Sequence, residues 1–342
     1  MSTALLTDAA FLRHRNPDGH PERVERMEAF LRLAARCGDF GVTVLPATRR
    51  ARRDEMARVH VDAHIDRIER TAGREFTMLD PDTFTSPDSY DTALLAAGGV
   101  LDAVDRVMAG EYANAFVAAR PPGHHAETAR AMGFCLFNNL ALGAAHALDH
   151  HGLERVMIVD WDVHHGNGTQ EIFWNDPRVL YVSLHRHPFY PGTGAVDEIG
   201  GPHAEGFTVN IPLPAGFGDE EWVAAFRRVV APVGHAHAPQ LVMLSAGFDA
   251  HAHDPLGGMR VTEAGFAAMA DELLAIAAAG ADGKLVAVLE GGYDVAALEA
   301  SAERVLKRMS GDRGALAAPR SEGRFAPVYA MVRAVHAGRW KL

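Results

Sequence analysis

Val156-Met157-Ile158-Val159-Asp160-Trp161-Asp162-Val163-His164-His165-Gly166-Asn167-Gly168 is the stretch on which the fold turns. Its first four residues are an apolar run short enough for a buried strand. Two carboxylates two residues apart follow, then two histidines and a glycine-rich turn. On an extended backbone residues two apart share a face, so Asp160, Asp162 and His164 point the same way beyond the strand's carboxyl end. Open parallel α/β sheets place their ligands at that edge. Aspartate and histidine at this spacing form half of a metal site. One more carboxylate completes a zinc site with an open position. The competing reading is a polar loop with chance spacing.

The same unit recurs on both sides. Asn114 to Ala119 is a short apolar run feeding Arg120-Pro121-Pro122-Gly123-His124-His125. Val179 to Leu184 reads as a strand ending at His185, before an aromatic loop from His187 to Gly194. Phe207 to Ile211 is a strand that Pro212 should end. Leu241 to Ser245 delivers Ala246-Gly247-Phe248-Asp249, and Leu285 to Leu289 delivers Glu290-Gly291-Gly292-Tyr293. Val42 to Leu45 is a further strand candidate. Helical patterns run from Val24 to about Cys37, Tyr90 to Met108, Leu140 to His150, Thr169 to Trp174, Asp219 or Glu220 to Val230, after Thr262 to Ala279, and on to about Met309. A last helix closes near His336. Phe76 to Pro87 and Gly311 to Arg324 read as loops. Strand, polar loop and helix in alternation predict one α/β domain over residues 1–342 with a mainly parallel sheet.

The bulk numbers narrow the function. The chain has 342 residues, 48% of them hydrophobic, and a formal net charge of -11. That balance argues against a nucleic-acid surface, which needs clustered positive charge. The basic run Arg49 to Arg53 reads as an exposed helix start. Two distant cysteines, Cys37 and Cys135, make neither a disulfide framework nor a thiolate metal site. The N-terminus lacks a signal-like pattern and no apolar run reaches membrane-spanning length, so a cytoplasmic location and no membrane partner are expected. The glycines near Gly166 and Gly194 carry no nucleotide fingerprint.

The polar residues beyond the strong strands combine into a chemistry. Asp162, His164 and Asp249 can hold zinc and leave a position for water and substrate. A cation there lowers the pKa of water and polarises a carbonyl. His125 suits a general base and His124 an electrostatic partner. Tyr293, on a Gly-Gly turn, can donate to a developing oxyanion. Each has a plainer reading: a structural histidine pair, a turn aspartate, a packed ring. His165 points away from His164 and reads as structural, as do His185 and His187.

In order along the chain, His20-Pro21-Glu22-Arg23, Arg120 to His125, Asp160 to Asn167, Pro191-Gly192-Thr193-Gly194, Ala246 to Asp249 and Gly291-Gly292-Tyr293 resemble the zinc-dependent histone deacetylase superfamily, which includes bacterial acetylpolyamine amidohydrolases. The resemblance implies a three-layer arginase/deacetylase-like fold. It implies Asp162, His164 and Asp249 as zinc ligands, His125 as base and then acid, His124 as its companion supported by Asp160, and Tyr293 as the carbonyl-polarising group. Asn167 stands where some members carry aspartate behind the base, a class II-like feature. Gly133, Phe134 and Tyr190 match an acyl-lysine tunnel, Tyr190 adding a hydroxyl where many relatives have phenylalanine. Leu256 occupies the rim place where polyamine-selective relatives often carry glutamate. Asp160, Ser183 and the backbone of Asp162, His164 and Leu184 match a structural potassium site. A second, near Phe173, Asp176, Val179 and Phe207, is also implied.

These implications predict hydrolysis of N-acyl amides, foremost an Nε-acyl-lysine on a peptide or a small acylated amine. Deacetylation of acetylpolyamines is the nearest alternative. A binuclear arginase-like enzyme would need more metal carboxylates. A silent acyl-lysine binding module would not need base, ligands and tyrosine together. A homo-oligomer could reshape the entrance.

Overall fold

A computed structural model of the chain describes residues 2–312 and 321–342. Among the described residues there are ten strands: β1 Thr3–Thr7, β2 Val42–Pro46, β3 Thr77–Asp80, β4 Thr83–Thr85, β5 Asn114–Val117, β6 Val156–Asp160, β7 Val179–Arg186, β8 Thr208–Leu213, β9 Leu241–Ala246 and β10 Leu285–Leu289. Eight of them form one sheet in the order β2-β1-β5-β10-β9-β6-β7-β8. Every pairing in that sheet is parallel. The strands β1, β5, β6, β9 and β10 are buried along their whole length. Parallel sheets covered on both faces show such continuous apolar runs, because neither pleat meets water.

Register identifies the two covering layers. Met157 pairs with Val242 and Ile158 with Met243, so Met157 and Met243 lie on opposite faces. Gly143 of the helix Asn139–Asp149 packs against Met243 and against Val100 of the helix Ser89–Met108. Gly234 of the helix Ala231–His237 packs against Met157 and Ile276, the latter on the helix Glu263–Gly280. The result is three layers, helix on sheet on helix. The later strands β9 and β10 insert between β5 and β6. The carboxyl ends of these four strands therefore surround the switch in strand order where α/β folds open a crevice.

The boundaries differ from the sequence expectations in five places. β1, for which no element was expected, sits between β2 and β5. The segment from Phe76 to Pro87, expected to be a loop, contains the antiparallel hairpin β3–β4. β8 runs through Pro212 instead of stopping there. It is an edge strand, where a missing N–H is tolerated. The short helix expected from Thr169 begins at Asn167. The helix from Asp219 continues past Val230 to His237 through a π-turn at Phe226–Val230, which accommodates Pro232. The loop expected from Gly311 to Arg324 lies partly outside the described residues. No described helix is long and apolar enough to cross a membrane.

Beneath the crevice lies a buried ionic cluster. The Glu22 carboxylate accepts from Arg26 at 2.9 Å and from Arg120 Nη2 at 2.7 Å, and all three side chains are fully buried. Arg26 Nε also donates to the Gly292 carbonyl at 2.7 Å, and Arg120 Nη1 to the His14 carbonyl at 2.9 Å. Burial opposes ionisation of Glu22, but Arg120, His14 and Arg26 outweigh it and hold the carboxyl well below the usual range. The cluster ties the N-terminal segment to the loops after β5 and β10. Glu22→Ala leaves two buried guanidinium groups without a counter-charge. It should cost about 3–5 kcal/mol, read as a lowered urea midpoint.

Candidate metal centre and acyl pocket

The loops after β6 and β9 bring Asp162, His164 and Asp249 together. His164 Nδ1 is 3.1 Å from Asp162 Oδ1 and 3.1 Å from Asp249 Oδ2. One potential ligand atom from each residue lies within 4.8 Å of the others, close enough for one cation. The remaining carboxylate oxygens are held by backbone: Asp162 Oδ2 by Gly291 N–H at 2.8 Å and Asp249 Oδ1 by Val163 N–H at 2.8 Å. Such outer bonds fix the orientation of metal ligands. Close packing requires glycine here, since a Cβ on Gly247 would stand 2.1 Å from Asp162 Oδ2.

The electrostatics also fit a cation. Burial, with Asp162 beside it, pushes Asp249 up to about 7. Burial would depress His164, but the two aspartates raise it to about 9. A divalent ion bound here would favour the deprotonated form of all three side chains.

The histidine pair is set beside this centre. His124 Nδ1 lies 3.0 Å from Asp160 Oδ2, and His125 Nδ1 lies 2.8 Å from Asn167 Oδ1. Burial works against charging His124, yet Asp160 and Asp162 raise it to about 10. Burial, then His124 and His164, hold His125 well below the ordinary imidazole value. The two imidazoles are thus pushed in opposite directions, His124 toward the charged form and His125 toward the neutral one.

Tyr293 closes the other side. Its N–H donates to Asp254 Oδ2 at 2.6 Å, and the Arg26 guanidinium lies 5.2 Å from its ring centroid. Burial and the Asp249 charge push its hydroxyl well above the ordinary phenol value, so it keeps its proton. Among the described residues that hydroxyl has no hydrogen-bond partner.

Aromatic rings frame the approach. Phe134 meets Tyr293 edge-on at 5.8 Å, and Tyr190 meets His125 edge-on at 5.2 Å. Gly133 has φ 56° and lies against the His125 ring, where a Cβ would come within 2.3 Å of Cδ2. Leu256 is 37% exposed. With Tyr293, His20, Arg15 and Arg23 it lines a surface cavity of about 590 Å³. The structure thus gathers the expected site residues around one crevice. For the expected potassium site, Asp160 and Ser183 stand opposite each other in paired strands, with Leu184 next in β7. His165 bonds Thr193 and Gln170, and His185 bonds Gly194, as the structural readings expected.

Several contacts at the site escaped the sequence reading. Phe189 stacks on His164 at 5.1 Å, and His20 meets Phe134 edge-on at 4.6 Å. Glu290 is buried and accepts from Gly123 N–H at 2.7 Å and His124 N–H at 3.1 Å, fixing the histidine loop. Its place at a strand end, like Asp160, was the available signal. Asp254 steadies Tyr293, and Thr83 Oγ1 in β4 accepts from Phe134 N–H at 3.0 Å. A second convergence, Asp105 with His146, His150 and His151, lies outside the crevice. Arg49 already contacts Asp105 at 2.5 Å and Arg58 contacts His146 Nδ1 at 2.9 Å, which makes it an ion-pair network between two helices.

The three-layer fold with a mainly parallel sheet, and its histidine pair beside three converging metal-ligand side chains, is that of the arginase/deacetylase architecture. The family described as "Histone deacetylase domain" matches residues 20–309. "Histone deacetylase 15" of Arabidopsis thaliana is 42% identical over 320 residues, covering 91% of this chain and 57% of that protein. A "Probable deacetylase" of Archaeoglobus fulgidus is 41% identical over 297 residues, covering 86% of this chain and 82% of that protein. The crystal structure titled "Crystal Structure of HDA15 HD domain" superposes with a TM-score of 0.92 at 39% identity, covering 99% of this chain and 95% of that one. The chain belongs to the histone deacetylase family. It spans little more than half of the Arabidopsis relative.

Proposed function

We propose that this chain hydrolyses N-acyl amides, with Nε-acetyl-lysine or a related acyl-lysine as substrate and one Zn²⁺ held by Asp162, His164 and Asp249. What supports this reading is geometry: Asp162, His164 and Asp249 converge closely enough for one cation, the His125 ring lies 5.9 Å from that of His164, and Tyr293 follows the Gly291 whose N–H is bonded to Asp162. When bound, zinc supplies Lewis-acid polarisation and a lowered pKa for water.

The chain's own residues do the rest. His125 keeps its Nδ1 proton on Asn167, so Nε2 is bare and accepts the proton of the attacking water. His124, paired with Asp160, stays charged and discourages a second proton on its neighbour. The Tyr293 hydroxyl donates to the carbonyl oxygen as negative charge develops there. Protonated His125 then delivers its proton to the leaving amine. Phe134 and Tyr190 hold the aliphatic stem and exclude water. Asp160, Ser183 and Leu184 are the proposed setting for a structural K⁺.

Acetylpolyamines are the second substrate class. Leu256 at the rim offers no carboxylate to a cationic chain, and this favours acyl-lysine. The test is a panel of acetyl-lysine peptides, longer acyl-lysines and N-acetylpolyamines on purified protein, with metal counted per chain. Peptide turnover with one zinc bound is expected. A strong polyamine preference reverses the substrate ranking, and no turnover of any amide by zinc-loaded protein overturns the function.

A further inference from the structure

The geometry points to Glu127 as a positioning residue that selects the productive tautomer of His125 through Asn167; this rests on the reading of His125 as the base. Asn167 Oδ1 is 2.8 Å from His125 Nδ1, and Asn167 Nδ2 donates to Glu127 Oε1 at 2.8 Å. The same Nδ2 faces the Met132 sulfur at 3.3 Å. Three side chains thus form one chain of hydrogen bonds running outward from the base.

The need for the third member follows from the chemistry of an amide. A carboxylate behind the histidine would present oxygen whichever way it turned. An asparagine has one accepting end and one donating end. With Oδ1 toward the ring, His125 carries its proton on Nδ1 and leaves Nε2 bare. With the amide reversed, Nδ2 would donate to Nδ1, the proton would move to Nε2, and the ring could accept nothing from water. The shape of the Asn167 side chain barely differs between these states, so packing alone discriminates weakly.

Glu127 removes the ambiguity. Its carboxylate only accepts, so it holds Nδ2 and turns Oδ1 inward. A reversed amide would set oxygen against oxygen. The Glu127 backbone is itself fixed: its N–H donates to the Arg130 carbonyl at 2.9 Å, and its carbonyl lies 3.0 Å from His60 Nδ1. The side chain borders a surface cavity with Asn167, Gln170, Glu171 and Trp174, and that lining shares no residue with the cavity at Leu256.

The test is a double-mutant cycle on the zinc-loaded enzyme with an acetyl-lysine peptide. Glu127→Ala should lower kcat about 10- to 100-fold, the usual scale for outer partners of metal-site imidazoles, with KM unchanged. Glu127→Gln keeps an acceptor oxygen and should recover most of the loss. Asn167→Asp should be impaired by two facing carboxylates, and adding Glu127→Ala to it should raise kcat, because a carboxylate needs no orienting. Imidazole ¹⁵N spectra of metal-free protein should show His125 as the Nδ1–H tautomer, with the Nε2–H form appearing in Glu127→Ala. An equal loss from Glu127→Ala in both backgrounds, or an unchanged tautomer, overturns the assignment. Full activity of His125→Ala would instead remove the base reading on which it stands.

Discussion

Tyr293→Phe should lower kcat for an acyl-lysine peptide by about 100-fold or more, as removal of an oxyanion donor does. KM and bound metal should stay unchanged. The ring is held by Phe134, by the Arg26 guanidinium and by its own backbone bond to Asp254, none of which involves the hydroxyl. The substitution therefore removes one O–H and little else. A hydroxyl whose bond strengthens as charge grows on the carbonyl oxygen acts on the transition state more than on the bound substrate, so the loss falls on kcat. Steady-state kinetics beside a metal count and a melting curve check this. Turnover close to wild type would remove Tyr293 from the chemistry.

Asp249→Ala should abolish both metal retention and turnover. Chelation of the wild-type protein should do the same reversibly, with zinc restoring activity to the wild type alone. The cradle has three donors, and two of them cannot close a tetrahedral site against water. The variant would also strand the Val163 N–H, which Asp249 Oδ1 now accepts at 2.8 Å, and loosen the loop that carries His164. Elemental analysis and turnover across a zinc titration read both effects. Full activity of metal-stripped Asp249→Ala would contradict the proposed centre.

Much of the crevice was legible because its residues follow strands directly. Val156 to Val159, Leu241 to Ser245 and Leu285 to Leu289 are apolar runs that parallel burial demands, and each is followed by the polar residues that the crevice gathers. What stayed hidden depends on contacts between distant segments. β1 is only five residues, and its place between β2 and β5 comes from pairing, not from local pattern. The β3–β4 hairpin is short and mostly polar, and its Thr83 matters through a bond to Phe134 fifty-one residues away. Asp254 and Glu127 carry no spacing cue of their own, and Glu290 only its place after a strand. Their meaning lies in which backbone or amide group they meet after folding.

The Glu22–Arg26–Arg120 cluster separates durability from selectivity. From below, it ties the turn that carries Arg120 and the turn that carries Gly292 to the N-terminal segment through Glu22. At the mouth above, Asn16 joins the clamp by donating to Glu22 Oε2 at 2.8 Å, while Leu256 and the exposed end of Arg15 stand outside it. Under the proposed function, substitutions at Leu256 and Arg15 should change which acylated amine is preferred while the floor keeps its shape.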